Sequence, residues 1–165
     1  MDKMNDLKDL LKHEIQDLLS VEEQIIAALP TMIDKASNIS LKNALTEHLT
    51  VTEEQKNRLD KIQKMFHEKQ EEKKGLFSSL FGGGKQACKG MEGIISEGNK
   101  MMNEPMEPSV LDAVIIACAQ KVEHYEIATY GGLVQLAKTM GNEDVAAILQ
   151  PTLEEENKQT ATLLQ

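Results

Sequence analysis

The sequence predicts an all-α protein, with four long helices that pair into a bundle and a fifth, short helix in the crossover between the pairs. Two observations support this prediction. Apolar residues recur at three- and four-residue spacing over long stretches, and no stretch shows the alternating period that is typical of a half-buried strand. The chain also contains only three Phe, two Tyr and no Trp, so Ala, Leu, Ile and Met must form the core, which favours helices over sheets.

The first pair of helices is predicted at residues of about 5–35 and 41–70. The first helix carries an apolar stripe that includes Leu11, Leu18 and Ile25, and Pro30 should bend it near its end. Residues 37–40 form a turn, and Ser40 is the expected N-cap of the second helix. Because the connection is this short, the two helices should lie antiparallel.

The second pair is predicted at about 110–140 and 143–164, with Gly141 ending the first of these helices and Pro151 kinking the second. Between the pairs, residues 73–85 contain four Gly and two Ser and are predicted to form a flexible crossover loop. A short helix at about 86–102 follows the loop. Two antiparallel pairs joined by one long connection are the topology of a ferritin-like four-helix bundle.

Length, charge and cysteine content indicate how many domains the chain has and which kinds of protein it does not resemble. The chain has 165 residues, which predicts a single domain over 1–165, and its net charge of −9 disfavours binding to nucleic acid. No apolar run reaches the length of about 18 residues that a membrane span requires, so no membrane span is predicted. The charged N-terminus argues against a signal peptide. Cys88 and Cys118 form no disulfide framework and should be reduced thiols. These observations predict a soluble, cytoplasmic protein.

Acidic residues and one histidine interrupt the apolar stripes of the long helices. Burying an isolated ionised carboxylate is very costly, so inward acids require partners, and a metal ion can accept several of them at once. Carboxylates and imidazole inside a helix bundle are the ligands of di-iron and di-manganese sites. The candidate ligands are Glu22, His48 and Glu156 near the centres of their stripes and Glu126 within its stripe, with Glu123 and Glu155 at the margins.

The same residues admit a structural interpretation. A single inward glutamate is commonly a hydrogen-bonded side chain, and a single inward histidine is commonly a satisfied core residue. Thr52 and Gln55 lie on the same stripe as His48 and could hydrogen-bond its ring. The spacing therefore leaves open two possibilities, a metal site and a buried polar network without metal.

Five segments of the chain resemble the YciE/YciF family of bacterial ferritin-like proteins. The resemblance implies a five-helix ferritin-like fold related to rubrerythrin and ferritin, usually a homodimer, with a dimetal site in the bundle and a link to bacterial stress responses. The segments are QDLLSVEEQIIAALP at 16–30, EHLTVTEEQKNRLDKI at 47–62, CKGMEGIISEG at 88–98, AQKVEHYEIATYG at 119–131 and TLEEENKQT at 152–160.

The chain departs from the usual ferritin-like ligand pattern of Glu-x-x-His on two helices. Leu45 stands three residues before His48, and Gln159 stands three residues after Glu156. The predicted helix at 110–140 carries two glutamates three residues apart, Glu123 and Glu126, a pattern closer to the doubled carboxylate of rubrerythrin. The site is therefore expected to contain fewer ligands than a full ferroxidase centre.

Two functions remain in competition at this level. The first is a metal-dependent protein that holds iron or manganese and reacts with peroxide or oxygen, with Tyr125 or Tyr130 close enough to hydrogen-bond the oxidised site. The second is a non-enzymatic, dimeric stress or interaction protein whose inward acids form a structural polar network. Iron storage in a cage is a third and weaker possibility, because nothing in the sequence specifies a closed shell.

Overall fold

The computed structural model describes residues 4–71 and 87–164, except for the side chains of residues 67–71. Five helices and no strand occur in these two ranges, which confirms the predicted all-α class. The predicted crossover loop at 73–85 lies outside the described residues. The helices are α1 (Leu7–Lys35), α2 (Ile39–Glu71), α3 (Lys89–Met102), α4 (Pro108–Thr139) and α5 (Glu143–Thr162).

The long helices assemble as a ferritin-like four-helix bundle with α3 as the additional short helix. α1 packs most extensively on α2, and α4 packs most extensively on α5. Contacts of α1 with α4 and of α2 with α5 join the two pairs, and α3 lies against α4 and α1. The apolar stripes meet inside this arrangement, where Leu11, Leu18, Leu45, Leu59, Ile62 and Ile115 are fully buried.

Side chains fix the tight turn between α1 and α2. The Asn38 side-chain oxygen accepts hydrogen bonds from the amides of Ser40 (2.8 Å) and Leu41 (3.1 Å), so Asn38, rather than the predicted Ser40, caps α2. Asp112 of α4 accepts from the Ser37 amide (2.7 Å), the Ser37 hydroxyl (2.6 Å) and the Asn38 amide (3.0 Å). The α1–α2 turn is therefore tied to the second helix pair.

The turn between α4 and α5 requires a left-handed residue. Gly141 has φ of 68°, and the Asn142 amide reaches back to the Ala137 carbonyl at 2.9 Å, as in a Schellman motif. Pro30 and Pro151 both lie inside helices, which continue beyond them. None of the described helices combines the length and the apolar character needed to cross a membrane.

Candidate metal centre

Three helices bring four potential metal ligands together in the bundle core. His48 comes from α2, Glu123 and Glu126 come from α4, and Glu156 comes from α5. One ligand atom of each side chain lies within 4.8 Å of those of the other three. Each of the four residues is at most 1% exposed to solvent. The group could hold a metal ion.

Helical periodicity explains how these residues share one level of the bundle. Glu123 and Glu126 are three positions apart on α4, so both side chains project from the same face of the helix. On α2 the residues one and two turns after His48 are Thr52 and Gln55, and both are fully buried. The centre is therefore built from side chains that stack along helix faces rather than from loops.

The buried polar atoms of this cluster lack hydrogen-bond partners to an unusual degree. Native proteins satisfy the large majority of such atoms, because each unmet donor or acceptor costs about 1–3 kcal/mol. When the carboxyl groups are ionised and can only accept hydrogen bonds, nine buried side-chain atoms within the described ranges have no partner, and all nine belong to this region. They are Oε2 of Glu22, both ring nitrogens of His48, Oε1 of Gln55, both oxygens of Glu123, both oxygens of Glu126 and Oε2 of Glu156.

Without a metal, burial favours the neutral forms of these groups. Removal from water raises the pKa of Glu123 to about 10 and that of Glu22 to about 8, and raises the pKa of Glu126 well above its usual range. Burial also raises the pKa of Glu156 and lowers the pKa of His48 to about 4. A hydrogen bond that the protonated Glu123 carboxyl forms with Glu156 also raises the pKa of Glu123, and like-charge repulsion from Glu22 and Glu156 raises the pKa of both Glu123 and Glu126.

The contact between His48 and Glu123 illustrates this effect. Nδ1 of His48 lies 3.3 Å from Oε1 of Glu123, a distance that would suit an ion pair. The two pKa shifts point to a neutral imidazole beside a protonated carboxyl at pH 7, and the pair lacks hydrogen-bond geometry. A divalent cation would replace the carboxyl protons and use the imidazole nitrogen as a lone-pair donor. The donor set therefore fits such an ion.

Glu22 of α1 lies beside the group of four and has one strong partner. The Tyr130 hydroxyl of α4 donates a short hydrogen bond to Oε1 of Glu22. Burial raises the pKa of Tyr130 well above its usual range, so this hydroxyl keeps its proton and acts as the donor. The other oxygen, Oε2, has no partner among the described residues. Glu22 is thus oriented at one oxygen and free to bind a cation at the other.

This bond gives a testable prediction for stability. We expect Tyr130→Phe to lower the free energy of unfolding of the metal-free protein by about 1–3 kcal/mol, because it leaves a second oxygen of Glu22 unpaired. Urea denaturation of Tyr130→Phe, Glu22→Met and the double variant would measure the coupling in a double-mutant cycle, because methionine cannot accept the Tyr130 hydroxyl bond as the carboxyl does. A coupling energy of zero would show that the hydroxyl and the carboxyl do not interact.

Glu155 occupies a different environment from the other predicted ligands. Arg58 of α2 holds it in a bidentate pair, with Nη1 to Oε2 at 2.5 Å and Nη2 to Oε1 at 2.7 Å. The Glu155 side chain is 33% exposed, so the pair lies at the edge of the core. The Gln55 amide connects this edge to the cluster by donating to Glu155 at 3.3 Å and, in a shorter bond, to Oε1 of Glu156. Arg58 and Gln55 therefore position α5 relative to α2.

The structure assembles four of the six predicted site residues and places Glu22 next to them. It places Glu155 on Arg58, outside the group of four. Thr52 donates to the main-chain carbonyl of His48 at 2.9 Å rather than to the imidazole, and Gln55 bonds to glutamates. The hydrogen bonds to the histidine ring that a closed polar network would require are not among the described contacts.

Sequence reasoning did not identify Arg58. It is the sole arginine among 18 basic residues, and it lies three positions after Gln55 on the same helix. Arginine is the residue best suited to bidentate pairing with a carboxylate. The presence of the single arginine next to an inward stripe could therefore have indicated an ion pair with one of the glutamates. Tyr125, which had been expected near the site, has its hydroxyl 3.1 Å from the Cys88 sulfur.

Comparison with known proteins agrees with the helical architecture and the residue pattern. Residues 6–165 match the family described as "Domain of unknown function (DUF892)". The chain belongs to this family. It is 37% identical over 153 residues to Protein YciF of Escherichia coli (strain K12), a match that covers 93% of this chain and 85% of that protein. The predicted resemblance to the YciE/YciF family is confirmed.

Solved structures of other proteins are similar to this chain over nearly its full length. YcfI of Rhodopseudomonas palustris has a TM-score of 0.86 at 36% identity and is covered over 96% of its length by 99% of this chain. The E. coli stress protein YciF has a TM-score of 0.82 at 35% identity, with 98% of this chain and 94% of that chain covered. A Xanthomonas campestris protein shares only the fold, with 20% identity and a TM-score of 0.64 over 97% of this chain and 89% of that one.

Proposed function

We propose that this DUF892 protein is a ferritin-like stress-response protein that binds two iron or manganese ions in its core and reacts with oxygen or peroxide. One observation carries the proposal: nine buried polar atoms without hydrogen-bond partners all belong to the four candidate ligands and to the neighbouring Glu22 and Gln55. A purely structural network would satisfy these atoms, because an unsatisfied buried network is less stable than an apolar core. Metal coordination is the interaction that would use them together.

Charge balance favours two ions over one. Four glutamates in this region, at positions 22, 123, 126 and 156, are each at most 1% exposed. When ionised they would carry four negative charges, which two divalent cations would neutralise. Carboxylates can bridge two such cations, and the oxygen-rich set with one imidazole suits iron or manganese.

The reactivity is proposed from the chemistry of such ions. Two bound divalent ions would supply one electron each, which together with two protons reduces hydrogen peroxide to two water molecules, or dioxygen to hydrogen peroxide, and leaves both ions trivalent. The protein supplies a nearly water-free core, carboxyls that release protons when a cation enters, and the Tyr130 hydroxyl that holds one oxygen of Glu22. The E. coli relative YciF is a stress protein, and a role in the removal of oxidants extends that description to this chain.

Metal titration tests the proposal. Chelator-treated protein should bind two ferrous or manganous ions per chain under anaerobic conditions, measured by equilibrium dialysis and elemental analysis. Subsequent addition of oxygen or peroxide should oxidise bound ferrous ions and change the near-ultraviolet absorbance. The control is a Glu22→Ala/Glu156→Ala variant, which should lose the bound metal and the absorbance change while it keeps its helical circular dichroism spectrum. Absence of bound metal in the unmodified protein would overturn the proposal.

The metal titration also tests the alternative function. A non-enzymatic, dimeric stress or interaction protein would bind no metal, and its function in cells would survive the double glutamate substitution. The homodimer that the resemblance implies remains a prediction for both functions. Light scattering should give twice the mass of one chain, whereas a much larger particle would favour a storage cage.

A further inference from the structure

An apolar cavity lies against the histidine of the candidate metal centre. Its volume is about 30 Å³, and α1, α2, α3 and α4 all contribute to its walls. Aliphatic residues form most of the lining, among them Leu29, Ile95, Ala119 and Val122. His48 is the only lining residue that also belongs to the candidate metal centre. None of the glutamates of the centre faces this cavity.

We propose that this cavity is a binding pocket for dioxygen next to the metal centre. The inference rests on the proposed function and adds the class of oxidant and its position. A cavity needs about 10–15 Å³ to hold one water molecule, so the observed volume suits a small diatomic molecule. Its apolar walls favour an uncharged ligand that forms no strong hydrogen bonds.

The choice of dioxygen over peroxide follows from the polarity of the lining. A buried water or hydrogen peroxide molecule needs two to four polar partners to replace its bonds to bulk water. Apart from the His48 ring, the polar lining side chains are the Asn99 amide, which belongs to an exposed residue, and the weakly polar Cys118 thiol. The inner part of the pocket therefore offers too few partners for peroxide, whereas dioxygen requires none.

The position of α3 explains how a small molecule could reach this pocket. The ligands of the metal centre are at most 1% exposed, so an oxidant must pass between packed side chains. On α3, Ile94 and Ile95 are partly buried and Asn99 is exposed, and all three line the cavity. The pocket thus lies directly beneath the surface of the short helix and extends inward to His48.

The first test is xenon binding to the metal-free protein. Xenon occupies dry apolar cavities, so xenon NMR or crystals under xenon pressure should detect an atom among Leu29, Ala119 and His48. Ala28→Leu, at a lining position, should abolish this binding. Ala27→Leu makes the same change on the exposed face of α1 and should leave it intact. Absence of xenon from the unmodified pocket would overturn the inference, and this result does not depend on metal binding.

The second test compares oxidants in the iron-loaded protein. We expect Ala28→Leu to slow the oxidation of bound ferrous ions by oxygen by about tenfold or more, and to change the rate with peroxide by less than about twofold. Ferrous affinity and the Ala27→Leu rates should stay at their unmodified values. Equal rates with oxygen in both variants, or equal slowing with both oxidants, would overturn the assignment to dioxygen. If no metal binds at all, the proposed function fails, while the xenon result still reports on the pocket.

Discussion

Replacing Glu126 with methionine should stabilise the metal-free protein and at the same time remove most of its affinity for metal. Glu126 is fully buried, neither of its oxygens has a hydrogen-bond partner within the described ranges, and burial raises its carboxyl pKa well above the usual range. Methionine has a similar length and no group that needs a proton or a bond. Replacement of buried charged groups by apolar residues of similar volume is often stabilising.

We expect the free energy of unfolding of Glu126→Met without metal to rise by about 1–3 kcal/mol. Its affinity for manganous ions should fall by about 100-fold or more, because loss of a ligand should cost at least as much as loss of a supporting residue. Urea denaturation and calorimetric titration measure the two effects. The control is Glu47→Met, at an exposed position next to His48 in the sequence. It should change the free energy of unfolding and the affinity for manganous ions much less than Glu126→Met does. A destabilised Glu126→Met protein with unchanged metal affinity would show that Glu126 serves the fold instead.

The metal-free protein should lose stability as the pH rises above about 5, and metal should reverse this loss. In the unfolded chain a glutamate ionises near pH 4.3, whereas burial holds the folded pKa of Glu22 at about 8 and that of Glu123 at about 10. Between these values the folded state binds more protons than the unfolded state, so stability falls with rising pH. Each such group contributes a slope of about −1.4 kcal/mol per pH unit.

His48 acts in the opposite direction over a lower range. Burial lowers its pKa from 6.5 to about 4, so its contribution to stability is lost as the pH falls through this interval. Because several carboxyls oppose one imidazole, we expect the net slope to be negative from about pH 5 to 8 and steepest above pH 6.5.

Urea denaturation at several pH values in this range, with chelator or with manganous ions, would measure the slope. Metal should flatten it, since bound cations take the place of the carboxyl protons. Glu126→Met should also have a shallower slope without metal. A metal-free protein whose stability rises steadily from pH 5 to 8 would contradict the assignment of neutral buried carboxyls.

Periodicity predicted those features of the fold and site that depend on one helix at a time. Periodicity places Glu22, His48, Glu126 and Glu156 within apolar stripes, and the structure buries all four. The helix angle also placed Glu123 at the edge of its stripe, and packing of the neighbouring helices closes that edge completely. The N-cap differed for a local reason: Asn38 can accept bonds from two amides, which starts α2 before Ser40.

Features that depend on two or more helices were beyond the reach of the sequence. The Arg58–Glu155 pair joins residues 97 positions apart and draws a flanking carboxylate away from the other acids. The pairing of Tyr130 with Glu22 spans 108 positions and involves one of two tyrosines that were equally plausible from the sequence. The cavity beside His48 depends on where α3 lies, and no periodic pattern within a single helix reports that position.

The central claim is that the buried acids and His48 are metal ligands, and crystallography with anomalous scattering tests it most directly. Crystals grown with ferrous or manganous ions under anaerobic conditions should be measured on both sides of the iron and manganese absorption edges. We predict two anomalous peaks in the bundle core, coordinated by His48, Glu123, Glu126 and Glu156, with Glu22 at one of them. A core without an anomalous peak, in which ordered water or side-chain bonds satisfy these atoms, would contradict the claim.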